Sequence, residues 1–149
     1  MMSHGGPFRR VLVGWDGSVD ARLALATAVD LVPEHGEVLV LGVVVPHRHA
    51  ETDGGQRRGV EADRERMEQE FARVAPRHPG VEVRLEVVVA DAGVGSAMLD
   101  VARRRQLDLM VIGRSGADPS LTRQGGALAT FLVQNGTIPV LVVPRRVTV

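Results

Sequence analysis

The stretch Val111-Ile112-Gly113-Arg114-Ser115-Gly116, followed further along by Gly125-Gly126-Ala127, decides how this chain folds. An apolar run from Leu109 to Ile112 stops at Gly113, and helical character returns at Ala127. A buried strand that leads through a glycine-bearing loop into a helix is a common phosphate-binding arrangement, because backbone N–H groups of the loop and of the helix N-terminus can point at one anion. Glycine also lets the backbone approach that anion closely. The competing interpretation is a tight connection without a ligand.

The rest of the chain alternates short apolar runs with segments of helical periodicity. Continuous apolar runs predict buried parallel strands, and apolar residues at helical spacing predict helices that cover the sheet. Strands are predicted at Val11–Trp15, Val38–Val45, Val81–Val89, Leu109–Ile112 and Pro139–Val143, and helices at Val19–Leu31, Val60–Ala75, Ser96–Arg105 and Ala127–Gln134. Strands that alternate with helices of these lengths predict right-handed crossovers and one parallel sheet, hence the α/β fold class.

Two of the predicted strands differ in character. Val38–Val45 is continuous and valine-rich, which predicts a strand at the centre of the sheet with both faces covered. Val81–Val87 alternates between apolar and charged residues, which predicts a strand with one wet face at an edge. Between this strand and the next helix, either Asp91 or Ser96 is expected to cap the helix.

Composition argues against several classes of protein. The 149 residues fit a single domain, 1–149, with residues 1–8 as a flexible N-terminus and 47–59 as a mobile loop. Equal numbers of basic and acidic residues, 18 of each, and only 3% aromatic residues argue against nucleic-acid binding. No apolar run is long enough to cross a bilayer, and the N-terminus lacks the apolar core of a signal peptide. With no cysteine in the chain, we expect a cytoplasmic protein that binds no membrane.

Asp16 is the candidate side chain for a second wall of the site. It directly follows the first predicted strand, and Gly113 follows the fourth. In parallel α/β sheets, ligands bind at the carboxyl ends of strands where the strand order reverses. If these two strands are neighbours, a carboxylate faces a phosphate loop. Alternatively Asp16 or Ser18 caps the first helix, and one residue can do both. Trp15 points away from Asp16 and is expected in the core or a dimer interface.

Other residues with chemical potential receive structural interpretations. His47 and His49 are expected to be solvated loop residues, since no third metal ligand is evident. The run Arg103–Arg105 ends a helix, where positive charge suits the helix dipole. The chain has no cysteine, no Gly-x-Ser-x-Gly turn and no P-loop lysine. We therefore predict no catalytic residue, no metal ligand and no enzyme activity beyond slow, incidental ATP hydrolysis.

The glycine spacing resembles a known motif. Gly113, two residues, Gly116, nine residues, Gly126 and then Ala127 resemble the nucleotide-binding motif of the universal stress protein family, G-x2-G-x9-G-[S/T]. Leu12–Ser18 is similar to the family's first strand, which ends in an aspartate, and Pro139–Val143 to its last strand. The three matches occur in the family's order and together span nearly the whole chain.

The resemblance implies both a fold and a ligand. The implied fold is a three-layer α/β/α sandwich around a five-stranded parallel sheet of order 3-2-1-4-5, of the adenine nucleotide alpha hydrolase-like type. The implied ligand is ATP, or AMP or ADP, with or without Mg²⁺. In the family the aspartate contacts the adenosine, a backbone position of the second strand contacts the adenine, and the glycines hold ribose and phosphates. The implied site residues here are Asp16, Gly14, Val43, Gly113, Arg114, Gly116, Gly126, Ala127 and Leu128. The resemblance also implies a homodimer formed through the fifth strand, Val140–Val143.

One departure from the motif leaves two functional hypotheses open. Ala127 stands where the family has a hydroxyl residue, and Asp118 adds a carboxylate to the loop. Both changes weaken phosphate binding without removing the helix amides. The first hypothesis is a nucleotide-binding regulatory or stress-response module with an unknown protein partner. The second is a dimeric interaction scaffold of the same family that binds no nucleotide.

Overall fold

The computed structural model describes residues 8–46, 53–114 and 126–145, without the side chains of 53–56. Strands and helices alternate along these residues. The strands are β1 (Arg10–Trp15), β2 (Glu37–Val44), β3 (Glu82–Val89), β4 (Leu109–Gly113) and β5 (Val140–Val143). The helices are α1 (Val19–Leu31), α2 (Asp53–Val74), α3 (Val94–Arg104) and α4 (Ala127–Asn135). The strands form one parallel sheet of order β3-β2-β1-β4-β5, which confirms the predicted topology.

Helices cover both faces of this sheet, which makes the fold a three-layer sandwich. Because side chains alternate along a strand, Val11 and Val13 of β1 pack on one face with α1 and α2. Leu12 of β1 packs on the opposite face with α3 and α4. Each face therefore has its own apolar core, and β1 contributes to both.

The two strands singled out by their pattern lie as neighbours in the sheet. β3 is an edge strand whose Glu82 and Arg84 are exposed while Val83 and Leu85 are half-buried, as the alternation predicted. β2 is buried from Val38 to Val44, and helices cover both of its faces. The central position, however, belongs to β1, because β4 and β5 add two strands on the far side of it.

The start of α2 differs from the prediction. Residues 53–59, predicted as part of a mobile loop, are helical, and α2 begins at Asp53 instead of near Val60. Gln, Arg and Arg at 56–58 are good helix formers, and a glycine inside a helix costs only about 1 kcal/mol relative to alanine. The glycine pair at 54–55 is therefore tolerated in the first turn. Residues 47–52, including His47 and His49, lie outside the described residues.

The start of α3 also differs from the prediction. The helix begins at Val94, and its N-cap is Gly93 at φ 100°, without a side-chain hydrogen bond. Asp91 lies two residues before this cap, and Ser96 already lies inside the helix. Neither side chain is therefore at the capping position. The positive φ explains why glycine occurs here, since other residues rarely adopt it.

The last residue of the predicted flexible N-terminus, Phe8, differs from the prediction. Phe8, assigned from sequence to a flexible segment, is half-buried and packs against the α1/α2 core. Residues 1–7 lie outside the described part of the chain. Among the described helices, none is long and apolar enough to cross a membrane.

Candidate functional site

The carboxyl ends of β1 and β4 mark the place where a parallel sheet of this strand order has its crevice. The ladder between these strands stops at the pair Val13–Val111, although β1 continues to Trp15 and β4 to Gly113. On the other side of β1, pairing with β2 continues to Trp15–Gly42. The strand order also reverses between β1 and β4, because the chain first builds β2 and β3 on one side and then β4 and β5 on the other. Parallel sheets bind ligands at such a point.

The turn after β1 is held by its own side chains. Asp16 Oδ1 accepts a hydrogen bond from the Ser18 backbone N–H at 2.9 Å. Ser18 Oγ in turn accepts the Ala21 N–H at 3.1 Å, which makes Ser18 the N-cap of α1. Of the two predicted caps, the structure therefore selects Ser18. Asp16 braces the turn and remains half-exposed at the carboxyl edge of the sheet.

Gly14 lies on β1 beside Met98 of α3. A Cβ at this position would lie 3.4 Å from Met98 Sδ and 3.5 Å from Ile112 Cγ2, which is ordinary van der Waals contact. The residue is half-buried on the face of the sheet that α3 and α4 cover. Gly14 therefore lies one residue beyond the last β1–β4 pair, at a position that has room for an alanine.

Val43 can offer only its backbone to a ligand. The side chain is 8% exposed and packs in the α3/α4 core. Along β2, Glu37 N–H donates to Arg9 O on the β1 side, and Val44 O accepts from Ala90 N–H on the β3 side. Since backbone groups alternate along a strand, those of Val43 face β1, just beyond its last paired residue.

Gly113 ends β4 in a position that only glycine fits. A Cβ here would lie 2.6 Å from Asp20 Cβ and 2.7 Å from the Asp20 carbonyl carbon and oxygen. On the other side Gly113 pairs with Val143, and the next residue, Arg114, donates its N–H to Val143 O at 3.1 Å. The Arg114 side chain is exposed. The start of the glycine loop is thus held between α1 and β5.

The N-terminus of α4 is suited to an acceptor. Its N-cap, Gly126, adopts a left-handed conformation with φ 109° and makes no side-chain capping bond. Its carbonyl accepts the first helical bond, from Thr130 N–H at 2.9 Å. The amides of the first turn therefore have no partner within the helix. Ala127 and Leu128 are half-buried, Leu128 packs against the α3/α4 core, and the first turn carries no acidic residue.

The structure thus places Asp16, Gly14 and Gly113 at the ends of the adjacent strands β1 and β4, and Val43 one strand further. Gly116, like Ser115 and Gly125, lies outside the described residues, so the middle of the loop remains a prediction. No group of three or more His, Cys, Asp or Glu side chains within residues 8–46, 53–114 and 126–145 is arranged to hold a metal ion.

Sequence reasoning missed Asp20. This residue is 2% exposed, and its Oδ1 accepts a hydrogen bond from Arg145 Nε at 2.9 Å. A signal was present, because Asp20 stands four residues before Ala24 on the stripe of α1 that faces the sheet. Its partner could not be read in the same way, since the two residues are 125 positions apart.

Trp15 belongs to the core, as its direction in the strand predicted. It is 3% exposed and contacts Phe71 of α2 edge-to-face, with ring centroids 5.9 Å apart and an angle of 87° between the rings. Among the residues that the structure describes, none is a hydrogen-bond partner of its Nε1. The indole is therefore part of the α1/α2 core and cannot stack on a ligand in the crevice.

Comparisons with known proteins identify the family of this chain. The model of the universal stress protein family matches residues 7–144. A family member from Burkholderia pseudomallei has a similar structure, with a TM-score of 0.70 and 26% identity over 95% of this chain and 99% of that chain. A universal stress protein in complex with cAMP gives 0.60 and 17% over 93% and 98%. An Arabidopsis thaliana member with AMP bound gives 0.56 and 15% over 92% of each chain. A search of curated sequences finds no match. Because the family model matches nearly the whole length of the chain, the chain belongs to the universal stress protein family.

Proposed function

We propose that this protein is a regulatory module that binds an adenine nucleotide in the crevice between β1 and β4. The observation that carries the proposal is the combination of this crevice with the N-terminus of α4. The crevice lies where the ladder stops at Val13–Val111, and α4 offers first-turn amides without helical partners beyond Gly126. A helix N-terminus of this kind favours an anion through its amides and its dipole.

Each part of the nucleotide has a suitable neighbour in this arrangement. The half-exposed Asp16 carboxylate accepts from ribose hydroxyls, since ionised carboxylates are acceptor-only groups. The backbone of Val43 pairs with the edge of the adenine ring. The amides following Gly126, with the exposed Arg114 guanidinium, bind the phosphates. Gly116 completes this set as a predicted contact.

Relatives support an adenine nucleotide as the ligand. One structure of similar fold is a complex with cAMP and another has AMP bound. AMP, ADP and ATP share with cAMP the adenine and ribose that Asp16 and Val43 would recognise. Ala127 removes a hydroxyl donor from the phosphate end, and one such hydrogen bond is worth about 1 kcal/mol. We therefore expect the phosphate count to matter less for affinity here than the adenosine.

The proposed role is regulatory, with little catalysis, and the working unit is a homodimer. Hydrolysis requires a group that activates water at the phosphates, and in the proposed binding mode Asp16 lies at the ribose instead. β5 is an edge strand of valine and leucine, and its Val142 is 37% exposed. An apolar edge strand is a ready template for a second strand. Pairing of two copies through Val140–Val143 would cover this edge. We propose that the dimer acts in the cytoplasm in a stress response.

The experiment that tests the binding proposal uses the purified full chain. Mass spectrometry of the denatured protein should find co-purified adenine nucleotide. Calorimetric titration with AMP, ADP, ATP and cAMP, with and without Mg²⁺, should then give saturable heats, and guanine nucleotides serve as the control for base recognition. Saturation that needs adenine supports the proposal. No co-purified nucleotide together with no heat at millimolar concentration refutes it.

A second candidate function rests on Ala127. In this alternative the chain has lost the nucleotide and acts as a dimeric interaction scaffold. The same titration separates the two, because a scaffold gives no heat with any nucleotide while light scattering still reports a dimer. Restoring the hydroxyl with Ala127→Ser then gains nothing, whereas a binding protein gains affinity.

A further inference from the structure

The outer edge of β3 is a surface that the proposed nucleotide contacts leave unused. β3 is the last strand on its side of the sheet, and no described strand pairs beyond it. Its even-numbered residues bond toward β2, as the Glu82 N–H does by donating to Gly36 O. Because backbone groups alternate along a strand, those of Val83, Leu85 and Val87 point outward. Such an edge is a template for another strand.

One of the outward backbone groups already has a side-chain donor. Arg64 of α2 donates from Nη1 to Val87 O at 3.4 Å, which is longer than a typical hydrogen bond. The Arg64 Nε also lies 3.7 Å from Glu61 Oε1, so the guanidinium keeps a partner when it leaves the carbonyl. A strand that pairs with β3 therefore displaces one weak bond, and this edge is less favourable for pairing than the apolar edge of β5.

The side chains of β3 divide by charge between the two faces of the strand. Val83 and Leu85 pack against the α1/α2 core. Since side chains alternate, Arg84 and Glu86 point to the opposite face, where Glu86 Oε2 lies 2.6 Å from Arg105 Nη2 at the end of α3. β3 thus carries an apolar row on one face and charges of alternating sign on the other.

A second copy of β3 complements this edge when the two strands run antiparallel about Leu85. Leu85 then lies opposite its own copy, and Val83 lies opposite Val87. These are residues whose backbone points outward, and each such pair can exchange two N–H···O bonds. Arg84 lies opposite Glu86 at a position where facing side chains are closest, and opposite charges there stabilise the pairing. A register centred on Arg84 would set two arginines against each other, so charge favours the register about Leu85.

We propose that β3 is a contact surface for a second copy of this chain, formed by antiparallel pairing of the two β3 strands about Leu85. The inference is independent of nucleotide binding. The net charge of the chain is zero, so two copies lack the long-range repulsion that a large net charge causes. Because Arg64 must first leave Val87 O, this contact forms at higher protein concentration than the proposed β5 dimer. β3 and β5 are opposite edges of one sheet, so pairing at both edges joins dimers into an open chain.

The first test is sedimentation of charge variants of the full chain over a range of concentrations. The wild type should associate beyond the dimer at high concentration. Arg84→Glu and Glu86→Arg should each weaken this association at least about tenfold, because like charges then lie opposite each other. The variant with both substitutions should associate within about threefold of wild type, since the two charges have only exchanged places. An equal mixture of the two single variants should also associate, because each introduced charge then faces its opposite.

Three further variants separate pairing from general effects of charge. Asp30→Arg makes a charge change of the same size on the exposed side of α1, and association should not change. Arg105→Gln removes the partner of Glu86 within the chain and should not weaken association, which shows that loss of this ion pair does not explain Glu86→Arg. Arg64→Ala should strengthen association about threefold, because the Val87 carbonyl then accepts from the second strand without competition.

The second test locates the contact by hydrogen exchange at low and high protein concentration. The outward amides, those of Val83, Leu85 and Val87, should exchange at least about tenfold more slowly at high concentration. The amides of Arg84 and Glu86 already bond within the β2–β3 ladder and should not change. Protection that alternates along the strand in this way is the signature of a strand added at this edge.

The outcomes are decisive for this contact and separate from the proposed function. The proposal is wrong if the wild type does not associate beyond the dimer, or if Arg84→Glu associates as strongly as wild type. Slower exchange confined to Val140–Val143 would place the contact at β5 and would also overturn it. None of these measurements contains a nucleotide, so their failure leaves the proposed function intact, and a protein that binds no nucleotide can still pair through β3.

Discussion

Gly113→Ala is the substitution for which the structure gives the clearest expectation. The added Cβ would lie 2.6 Å from Asp20 Cβ and 2.7 Å from the Asp20 carbonyl carbon and oxygen. Real Cβ atoms do not approach neighbours this closely. The Asp20 carbonyl belongs to the backbone of α1, so it cannot move aside in the way that a flexible side chain can. Gly113 is not among the described glycines with a positive φ, so the expected penalty is steric and not conformational.

The size of the effect follows from the cost of overpacking. Inserting a methyl group into well-packed surroundings costs about 1–3 kcal/mol. In a chain of about this length each kcal/mol lowers Tm by about 3 °C, so Gly113→Ala should lower Tm by about 3–9 °C. It should also weaken AMP binding by about tenfold, because α1 and the start of the loop must separate to admit the methyl group.

Gly14→Ala is the matched control on the adjacent strand. Its Cβ would lie 3.4 Å from the Met98 thioether, a flexible neighbour that can shift by a few tenths of an ångström. We expect a Tm within about 2 °C of wild type, since a compatible alanine adds little strain. Trp15 is the single tryptophan of the chain and lies in the core, so its fluorescence follows unfolding of both variants. A Gly113→Ala protein as stable as wild type, or less destabilised than Gly14→Ala, would refute the reasoning.

Three further predictions address the ligand and the dimer. Asp16→Ala should weaken AMP binding at least about tenfold, and loss of the bond to the Ser18 N–H should lower stability by about 1 kcal/mol. An unchanged affinity in calorimetry would show that Asp16 only stabilises the turn. Ala127→Ser should tighten ATP binding about threefold to tenfold by returning one hydroxyl donor, and an unchanged affinity would place position 127 away from the phosphates. Val142→Glu should convert a dimer to a monomer in light scattering, because the glutamates of the two copies would repel each other where the β5 strands pair. A dimer that persists would exclude β5 as the interface.

The order of elements could be predicted from sequence because each depends on local pattern. β4 is a continuous apolar run, α1 has one apolar stripe, and the alternation along β3 predicted its place at the edge. Boundaries were less certain where local preferences compete. The glycine pair at 54–55 suggested a loop, yet the surrounding helix formers extend α2 through it. The sequence also identified the two strand ends that form the crevice.

What the sequence could not provide are relations between distant residues. The ladder between β1 and β4 ends at Val13–Val111, before the end of either strand, and no local pattern shows where the pairing of two strands stops. Likewise, the position of Asp20 on the apolar stripe of α1 predicts that it is buried. Its contact with Arg145, however, becomes visible only when the fold brings the end of β5 next to α1. Both features depend on how the sheet brings remote segments together, and both lie beside the proposed ligand.

The structure also gives a reason for the direction in which a nucleotide would lie. Two helix N-termini, those of α1 and α4, follow the strands that flank the crevice. That of α1 is already capped by Ser18 and carries the acidic Asp20 in its first turn, with Asp16 just before it. That of α4 begins at a glycine and has no acidic residue in its first turn. Carboxylates repel phosphates, and helix amides without a partner in their own helix attract them. We therefore infer that the phosphates lie toward α4 and the adenosine toward Asp16. A ligand in the opposite direction would place its phosphates against Asp16, and for such a ligand Asp16→Ala would strengthen binding instead of weakening it.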